Sequence, residues 1–405
     1  MAKALLRLVD VEVRRSMQVV LRNHRLTVNE GDCVALVGIN GSGKSTLLET
    51  AAGLLPLERG VVFHGETERL DGEGRRRPSP LTVGLTLQKN GAIGSEVLDE
   101  HLHLAMSQSG HAIDLDPFLD AFRLKHRARD LIAHLSQGQA RKVAVLAGIL
   151  PAFAATSPGL VLLDEPAAGL DDHAVDRLCE WLGELRAAGH AVVMCTHDPR
   201  LRAQANVVHD VVAQSSTPQD VSLPTLTKTP EGHSARPPSP GQFGMRTHWR
   251  TMLWLNTNAM AALLTLGVLL ALGDLTRSTT PLQELGFVLA PALAAGLCGE
   301  PLVNAMREER ASSWWRAVGG GVPHASWLPL LLGGIVTAMA TISLQSTLLP
   351  VHLVAGAVLT WTAWHAVRWA QLSTDRLARP QAVMVGLLTP TLILPYALLL
   401  DLLTR

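Results

Sequence analysis

Eight consecutive residues, Gly38-Ile39-Asn40-Gly41-Ser42-Gly43-Lys44-Ser45, match the pattern GxxxxGK[ST] in full. Glycines at this spacing let backbone N–H groups close around phosphate oxygens without side-chain clash. The lysine then reaches the β- and γ-phosphates, and the hydroxyl after it is a Mg²⁺ ligand. Gly38, Asn40, Gly41, Ser42, Gly43, Lys44, Ser45 and Thr46 are therefore the candidate residues for binding ATP. A second piece of chemistry ends the apolar run Val161-Leu162-Leu163, where Asp164 and Glu165 stand side by side. An acid at a strand tip beside a phosphate loop can hold Mg²⁺ or its water, and the next acid can polarise an attacking water. A strand ending in two acids is ordinary surface chemistry elsewhere; in a chain with a phosphate loop it points to hydrolysis.

The flanking pattern supplies the elements these residues need. Cys33–Val37 is a short apolar run suited to a strand buried on both faces, and Thr46–Leu54 continues the glycine loop as a helix. Partial alternation over Ala4–Val13 and a second run ending at Val28 suggest half-buried strands, with a turn at Asn29–Asp32. Strand patterns return at Val61–His64, Leu81–Leu87, Gly159–Leu163 and Ala191–Cys195, and helical ones fill Glu96–Met106, Gln137–Leu150 and Asp172–Arg186. Pro151 is expected to end the second of these helices. Strands alternating with helices predict an α/β domain with a largely parallel sheet.

Between the two motifs lies Leu135-Ser136-Gln137-Gly138-Gln139, which resembles the LSGGQ signature of ABC transporter ATPases, with Gln137 in place of the usual glycine. Gln88 resembles that family's Q-loop glutamine, Ala168-Gly169-Leu170-Asp171 its D-loop, and His197 its switch histidine. These occur in the family's order over about Ala4–Ala213. The resemblance implies an ABC cassette in which Glu165, His197 and Gln88 are catalytic. It also implies that Ser136, Gly138, Gln139 and Asp171 contact nucleotide across a dimer, and that Ser45, Gln88 and Asp164 surround Mg²⁺. Where the family places an aromatic ring against adenine, this chain has Arg14 and Arg15. A guanidinium plane can also stack on a base.

Lys and Arg together number 35, as do Asp and Glu, so no chain-wide field favours nucleic acid. The four cysteines are scattered, which predicts free thiols, and the N-terminus lacks the apolar core of a secretory signal. From Gln214 to Phe243 prolines sit among Ser, Thr, Gln and Gly, the composition of an exposed linker. The expected division is an ATPase domain over 1–213, a linker over 214–245 and a transmembrane domain over 246–405. Five apolar stretches follow the linker, near Met252–Gly273, Leu282–Met306, Ala325–Leu344, Pro350–Val367 and Ala382–Leu400. Each approaches the roughly 20 residues that cross a bilayer as a helix. The fold expected is thus an α/β P-loop ATPase followed by an all-α transmembrane helix bundle. Trp181 apart, every tryptophan lies beyond Met245, as interfacial anchors or as packing residues.

Arg246, Arg250, Arg307, Arg310, Arg316, Arg368, Arg376 and Arg379 precede the first stretch or follow the second and fourth, whereas only Arg277 and Arg405 fall on the other side. The bias of basic loops towards the cytosol places the ATPase inside and the C-terminus outside. The apolar half resembles the permeases of ABC type-2 exporters. Met306–Arg316, charged and ending near Trp314-Trp315, resembles their cytosolic coupling helix, with one of the tryptophans expected beside Gln88–Glu96. Glu300, Asn304, His352 and His365 are polar groups on the apolar stretches. Together these features suggest an exporter half set in the lipid of the cell inner membrane, paired with a like or unlike half and moving an unidentified solute. The alternative is a membrane-anchored ATPase serving haem or cytochrome assembly.

Overall fold

The computed structural model describes residues 3–222, 232–272, 281–319, 321–325, 327–346, 350–373 and 381–404, with side chains left out at 281–282, 394 and beyond 395. The chain divides into two compact units, Met1–Pro238 with Glu308–Val322, and Ser239–Arg307 with Pro323–Arg405. The division at Ser239 falls inside the expected linker, and a short segment from the C-terminal half belongs to the first unit.

The first unit is built on a six-stranded sheet. Its order is Ser215–Pro218, Val207–Asp210, Cys33–Val37, Ala191–Cys195, Leu160–Asp164 and Val83–Thr86. All neighbours are parallel except the edge pair Val207–Asp210 with Ser215–Pro218. Cys33–Leu36, Leu160–Leu163 and Ala191–Cys195 are buried, as strands covered on both faces must be. The edge strand Ser215–Pro218 is fully exposed and lies in the stretch expected to be linker. A second, antiparallel sheet runs Gln18–Asn29, Ala4–Arg15, Arg59–His64 and Thr67–Asp71. The helix Gln137–Ala154 rides very close to the strand Val83–Thr86: a Cβ on Gly84 would lie 1.9 Å from the carbonyl oxygen of Gly148. Only glycine permits that approach, and Thr86 Oγ1 reinforces it by donating to the Ala144 carbonyl at 3.2 Å. Pro151 does not end this helix, which runs on to Ala154. Leu150, Ala152 and Ala154 are all buried there, so apolar packing holds the last turn despite the missing N–H.

The second unit is helical. A capping box opens Pro240–Thr251: Ser239 Oγ accepts from the Gln242 N–H at 3.2 Å, and Gln242 Oε1 accepts from the Ser239 N–H at 3.0 Å. The helix Gln137–Ala154 of the first unit has the same kind of cap, formed by Ser136 with Gln139. Met252, in the left-handed region at φ 51°, ends Pro240–Thr251. The chain bends by 62° into Leu255–Ala271, whose first turn Leu255–Ala259 is a π-helix. Pro281–Leu297 and Pro301–Glu308 follow, separated by Gly299 at φ 64°, then Leu328–Ser343, Pro350–Ser373 and Ala382–Thr404. Small residues bring these helices together: Thr360 Oγ1 donates to the Ala292 carbonyl at 2.9 Å, and Gly333 and Gly356 pack against Thr360 and Thr337. Glu300 stands at the start of the helix Pro301–Glu308, where its Oε1 accepts from the Leu302 N–H at 3.4 Å, and it is fully buried. It meets His248 Nε2, the Ala325 N–H at 3.2 Å and Trp364 Nε1 at 3.4 Å.

All five apolar stretches contain helix. Among the described residues, however, only Gln283–Glu308 is by itself long and apolar enough to cross a membrane, or two such spans if the bent pair Pro240–Thr251 with Leu255–Ala271 counts as one. Leu328–Ser343 and the described part of the last helix, Ala382–Ile393, are apolar but shorter. Arg277, Arg376, Arg379 and Arg405, on which the expected orientation leans, lie outside the described residues. Trp314, Trp315 and Trp364 are buried packing residues, whereas Trp327 and Trp369 are exposed.

Candidate functional site

The phosphate loop joins the strand Cys33–Val37 to the helix Lys44–Ala51. Gly43, at φ 97°, caps that helix, and a Cβ there would press against Val20 Cγ1 at 3.0 Å, so the loop needs glycine on both counts. Lys44 is buried and its Nζ donates to the carbonyls of Gly38 at 2.9 Å and Ile39 at 3.1 Å. Ser42 Oγ is buried without a hydrogen-bond partner among the described residues and faces Gly38, where a Cβ would lie 2.6 Å from it.

The carboxylates arrive at the end of the strand Leu160–Asp164, which Ala191–Cys195 separates from Cys33–Val37 in the sheet. Ser45 Oγ donates to Asp164 Oδ1 at 3.0 Å, an all-oxygen pair of the hard kind that suits Mg²⁺. Burial pushes the Asp164 carboxyl up to about 6, with the Ser45 hydrogen bond opposing and Glu49 and Glu165 adding to the rise. A cation bound there would reverse that shift. Glu165 follows the strand end with φ 48°, the left-handed region that side-chain-bearing residues rarely occupy. Its N–H donates to the Cys195 carbonyl at 2.9 Å, and its Oε1 lies 3.3 Å from His197 Nε2.

A cavity of about 320 Å³ collects Asn40, Gly41, Gly43, Lys44, Ser45 and Thr46 with Gln88, Glu165 and His197. Val20, from the Gln18–Asn29 strand, lines it as well. Thus most residues expected to handle phosphate and water meet in one place. Gly38 and Ser42 shape the loop behind it. Ser136, Gly138, Gln139 and Asp171 do not line this cavity. Ser136 and Gln139 start the helix Gln137–Ala154, and a Cβ on Gly138 would lie 3.0 Å from the Gly169 carbonyl oxygen. Asp171 caps the helix Asp172–Ala187 by accepting from the Ala174 N–H at 2.9 Å, and it pairs with Lys142 Nζ at 2.6 Å. That hydrogen bond from Lys142 holds its carboxyl below the usual range.

Arg141 belongs to no motif in the sequence, yet it braces the site. Its guanidinium is buried, and Nη2 donates to the carbonyls of both Asp164 and Glu165 at 2.6 Å while Nη1 donates to the Leu87 carbonyl. One planar fork therefore ties the two acidic residues to the strand end that carries Gln88. Arg141→Lys keeps a charge but loses the fork. It is expected to lower kcat for ATP by about 10²-fold, the cost of an ångström-scale misplacement, with little change in KM. Steady-state hydrolysis checks this; a rise in KM with normal kcat would assign Arg141 to binding instead.

Phosphate loop, adjoining carboxylates and parallel sheet define a P-loop ATPase. The family model for ABC transporter matches residues 21–168. The chain is 33% identical over 185 residues to the ABC-type transporter ATP-binding protein EcsA of Bacillus subtilis, covering 44% of this chain and 71% of that protein. It is 36% identical over 201 residues to the cytochrome c biogenesis ATP-binding export protein CcmA of Gluconobacter oxydans, covering 48% of this chain and 82% of that one. Against the macrolide export ATP-binding/permease protein MacB of Campylobacter jejuni it is 27% identical over 199 residues, 47% of this chain and 30% of that. A solved ATP-binding subunit of an ABC transporter is 27% identical with a TM-score of 0.43, over 51% of this chain and 85% of that one. The chain belongs to the ABC transporter family, and its cassette is an ATP hydrolase.

Proposed function

We propose that this chain is one half of an ATP-driven exporter, with a membrane-spanning helical unit, a cytosolic cassette and a second half supplying the other cassette. Glu165 positions the attacking water, His197 and Gln88 face the γ-phosphate, and Lys44 binds the phosphates. Ser45 and Asp164 would hold Mg²⁺, which when bound supplies charge neutralisation on the phosphates.

The observation that carries this reading is the placement of Glu308–Val322. The chain on both sides of it belongs to the helical unit, yet the segment is built into the cassette beside Gln88. The Gly91 N–H donates to the Glu309 carbonyl at 2.8 Å, and the Asn90 N–H to Glu309 Oε2 at 3.2 Å. Trp314, on the short helix Ala311–Ala317, lies over Gly91 and against the His101 ring at 5.5 Å. A buried tryptophan offers large contact area through which motion can pass.

The sidedness of the helical unit supports a bilayer setting. Glu300, His248, Asn258 and Thr265 are buried, while Leu263, Leu331, Ile335, Ile342, Val354 and Leu392 are exposed. Water favours the reverse arrangement; lipid favours this one. A cavity of about 620 Å³ opens where the π-helical turn and the Gly299 break meet, with Asn256, Asn304 and Thr257 among apolar neighbours. Its described lining carries no charged side chain, which suits a neutral, largely apolar solute.

The similarity to CcmA favours a second reading, an anchored ATPase in cytochrome assembly. Reconstituted full-length protein separates them: neutral amphiphiles should stimulate ATP hydrolysis and accumulate in the vesicle lumen. Stimulation by haem alone, without movement of any solute, would favour the second reading. Trp314→Ala with Trp315→Ala, and separately Gly91→Leu, should leave ATP binding intact and remove the stimulation. Retained stimulation in both would sink the proposed coupling contact.

A further inference from the structure

Glu49 sits on the phosphate-loop helix, one turn beyond Ser45, and its side chain is only 4% exposed. It serves two arginines far apart in sequence. Arg15 Nη2 donates to Glu49 Oε2 at 2.5 Å, and Arg310 Nη1 donates to Glu49 Oε1. A buried carboxylate needs such compensation, and removing one partner throws its whole field onto the other.

The two arginines belong to different machinery. Arg15 ends the strand Ala4–Arg15 and opposes Gln18 across the hairpin that carries Val20. Val20 borders the nucleotide cavity, whereas Gln88, Glu165 and His197 gather where hydrolysis occurs. The hairpin therefore reaches the nucleotide cavity, and Arg15, 45% exposed, is within the same structural element. Arg310 starts the helix Ala311–Ala317, whose Trp314 packs on Gly91.

We propose that Glu49 is a shared positioning carboxylate that makes affinity for the nucleoside part of ATP depend on the seating of the Ala311–Ala317 helix. With Arg310 seated, Glu49 divides its charge and Arg15 can turn its plane towards the base. With Arg310 withdrawn, Glu49 retains Arg15 and the base loses that contact. By linkage, nucleotide that recruits Arg15 strengthens the Glu49–Arg310 pair by the same factor. This rests on the proposed coupling role of the segment and extends it to a residue outside the γ-phosphate loops.

The test is a double-mutant cycle in the full-length protein, measuring equilibrium binding of ATP and of inorganic tripolyphosphate, which has phosphates but no base. Arg310→Gln is expected to weaken ATP binding about fivefold or more, the lower range of allosteric coupling, and to leave tripolyphosphate binding unchanged. In an Arg15→Gln background, or with Glu49→Gln, the same substitution should have no effect on ATP. An Arg310→Gln effect that is absent, that falls equally on tripolyphosphate, or that persists in either background overturns the proposal. The tryptophan substitutions test stimulation, not base affinity, so failure of the exporter reading is seen separately.

Discussion

Glu165→Gln is expected to bind ATP as well as the unchanged protein and to hydrolyse it about 10²–10⁴-fold more slowly, the range for loss of one positioned acid–base group. The substitution preserves shape and hydrogen-bonding reach. It removes only the ability to take a proton from, or strongly polarise, an attacking water. The surrounding backbone would not relax, because contacts independent of the side chain hold it. The Glu165 N–H donates to the Cys195 carbonyl at 2.9 Å, its carbonyl accepts from Arg141 at 2.6 Å, and the Ala168 N–H donates to the same carbonyl at 3.1 Å. A residue kept at φ 48° by that many constraints carries strain that the fold tolerates for the placement it gives. Single-turnover hydrolysis with nucleotide binding measured in parallel checks the expectation. Turnover near the normal rate would remove Glu165 from the role and turn attention to His197, 3.3 Å away.

Legibility from sequence follows how local each signal is. The phosphate loop is one unbroken run whose glycines are needed for their own backbone angles, so residue types alone reveal it. Cys33–Val37 and Ala191–Cys195 are readable to the residue because strands covered on both faces are continuous apolar runs. The roles of Arg141 and Glu49 are not readable. Their partners lie tens to hundreds of positions away, and an arginine or glutamate on a helix looks like an ordinary solvated charge until the packing is known. Thr67–Asp71 gives no warning because Thr-Glu-Arg-Leu-Asp carries little β pattern of its own and is ordered by pairing with Arg59–His64. The helical unit shows the opposite problem. Each of the five apolar stretches contains helix, but composition misses Pro240–Thr251 and does not say where a helix breaks. Met252, at positive φ, divides Pro240–Thr251 from the helix of the first stretch, and Gly299, also at positive φ, interrupts the second. The Trp314 contact near Gln88 can be anticipated because charge, position between apolar stretches and a paired tryptophan together restrict where such a segment can dock.

Ser136→Arg should reduce hydrolysis by about 10²-fold or more, the size of losing preorganised contacts to developing charge, while each chain still binds ATP. The reason lies in what the signature residues do not touch. Ser136, Gly138 and Gln139 start a helix whose amides and hydroxyl suit a phosphate, yet none lines the cavity that holds Lys44 and Glu165 of the same chain. Among the hydrogen bonds described, the Ser136 hydroxyl accepts only the Gln139 N–H, at 3.3 Å. Such a set has work to do if a second copy presents its nucleotide to it. In a two-site dimer, each site then takes Glu165 from one chain and Ser136 from the other. That arrangement makes a sharp expectation for two inactive proteins. When Glu165→Gln and Ser136→Arg chains are coproduced, the mixed dimer has one site with both defects and one site with neither, so hydrolysis should reappear. A site complete within one chain would give no such recovery, because every chain in the mixture carries a defect. Measuring ATP hydrolysis of the copurified pair, tagged differently on each chain, decides between the two: activity confined to the mixed species supports the shared site, and inactivity of a properly assembled mixed species overturns it.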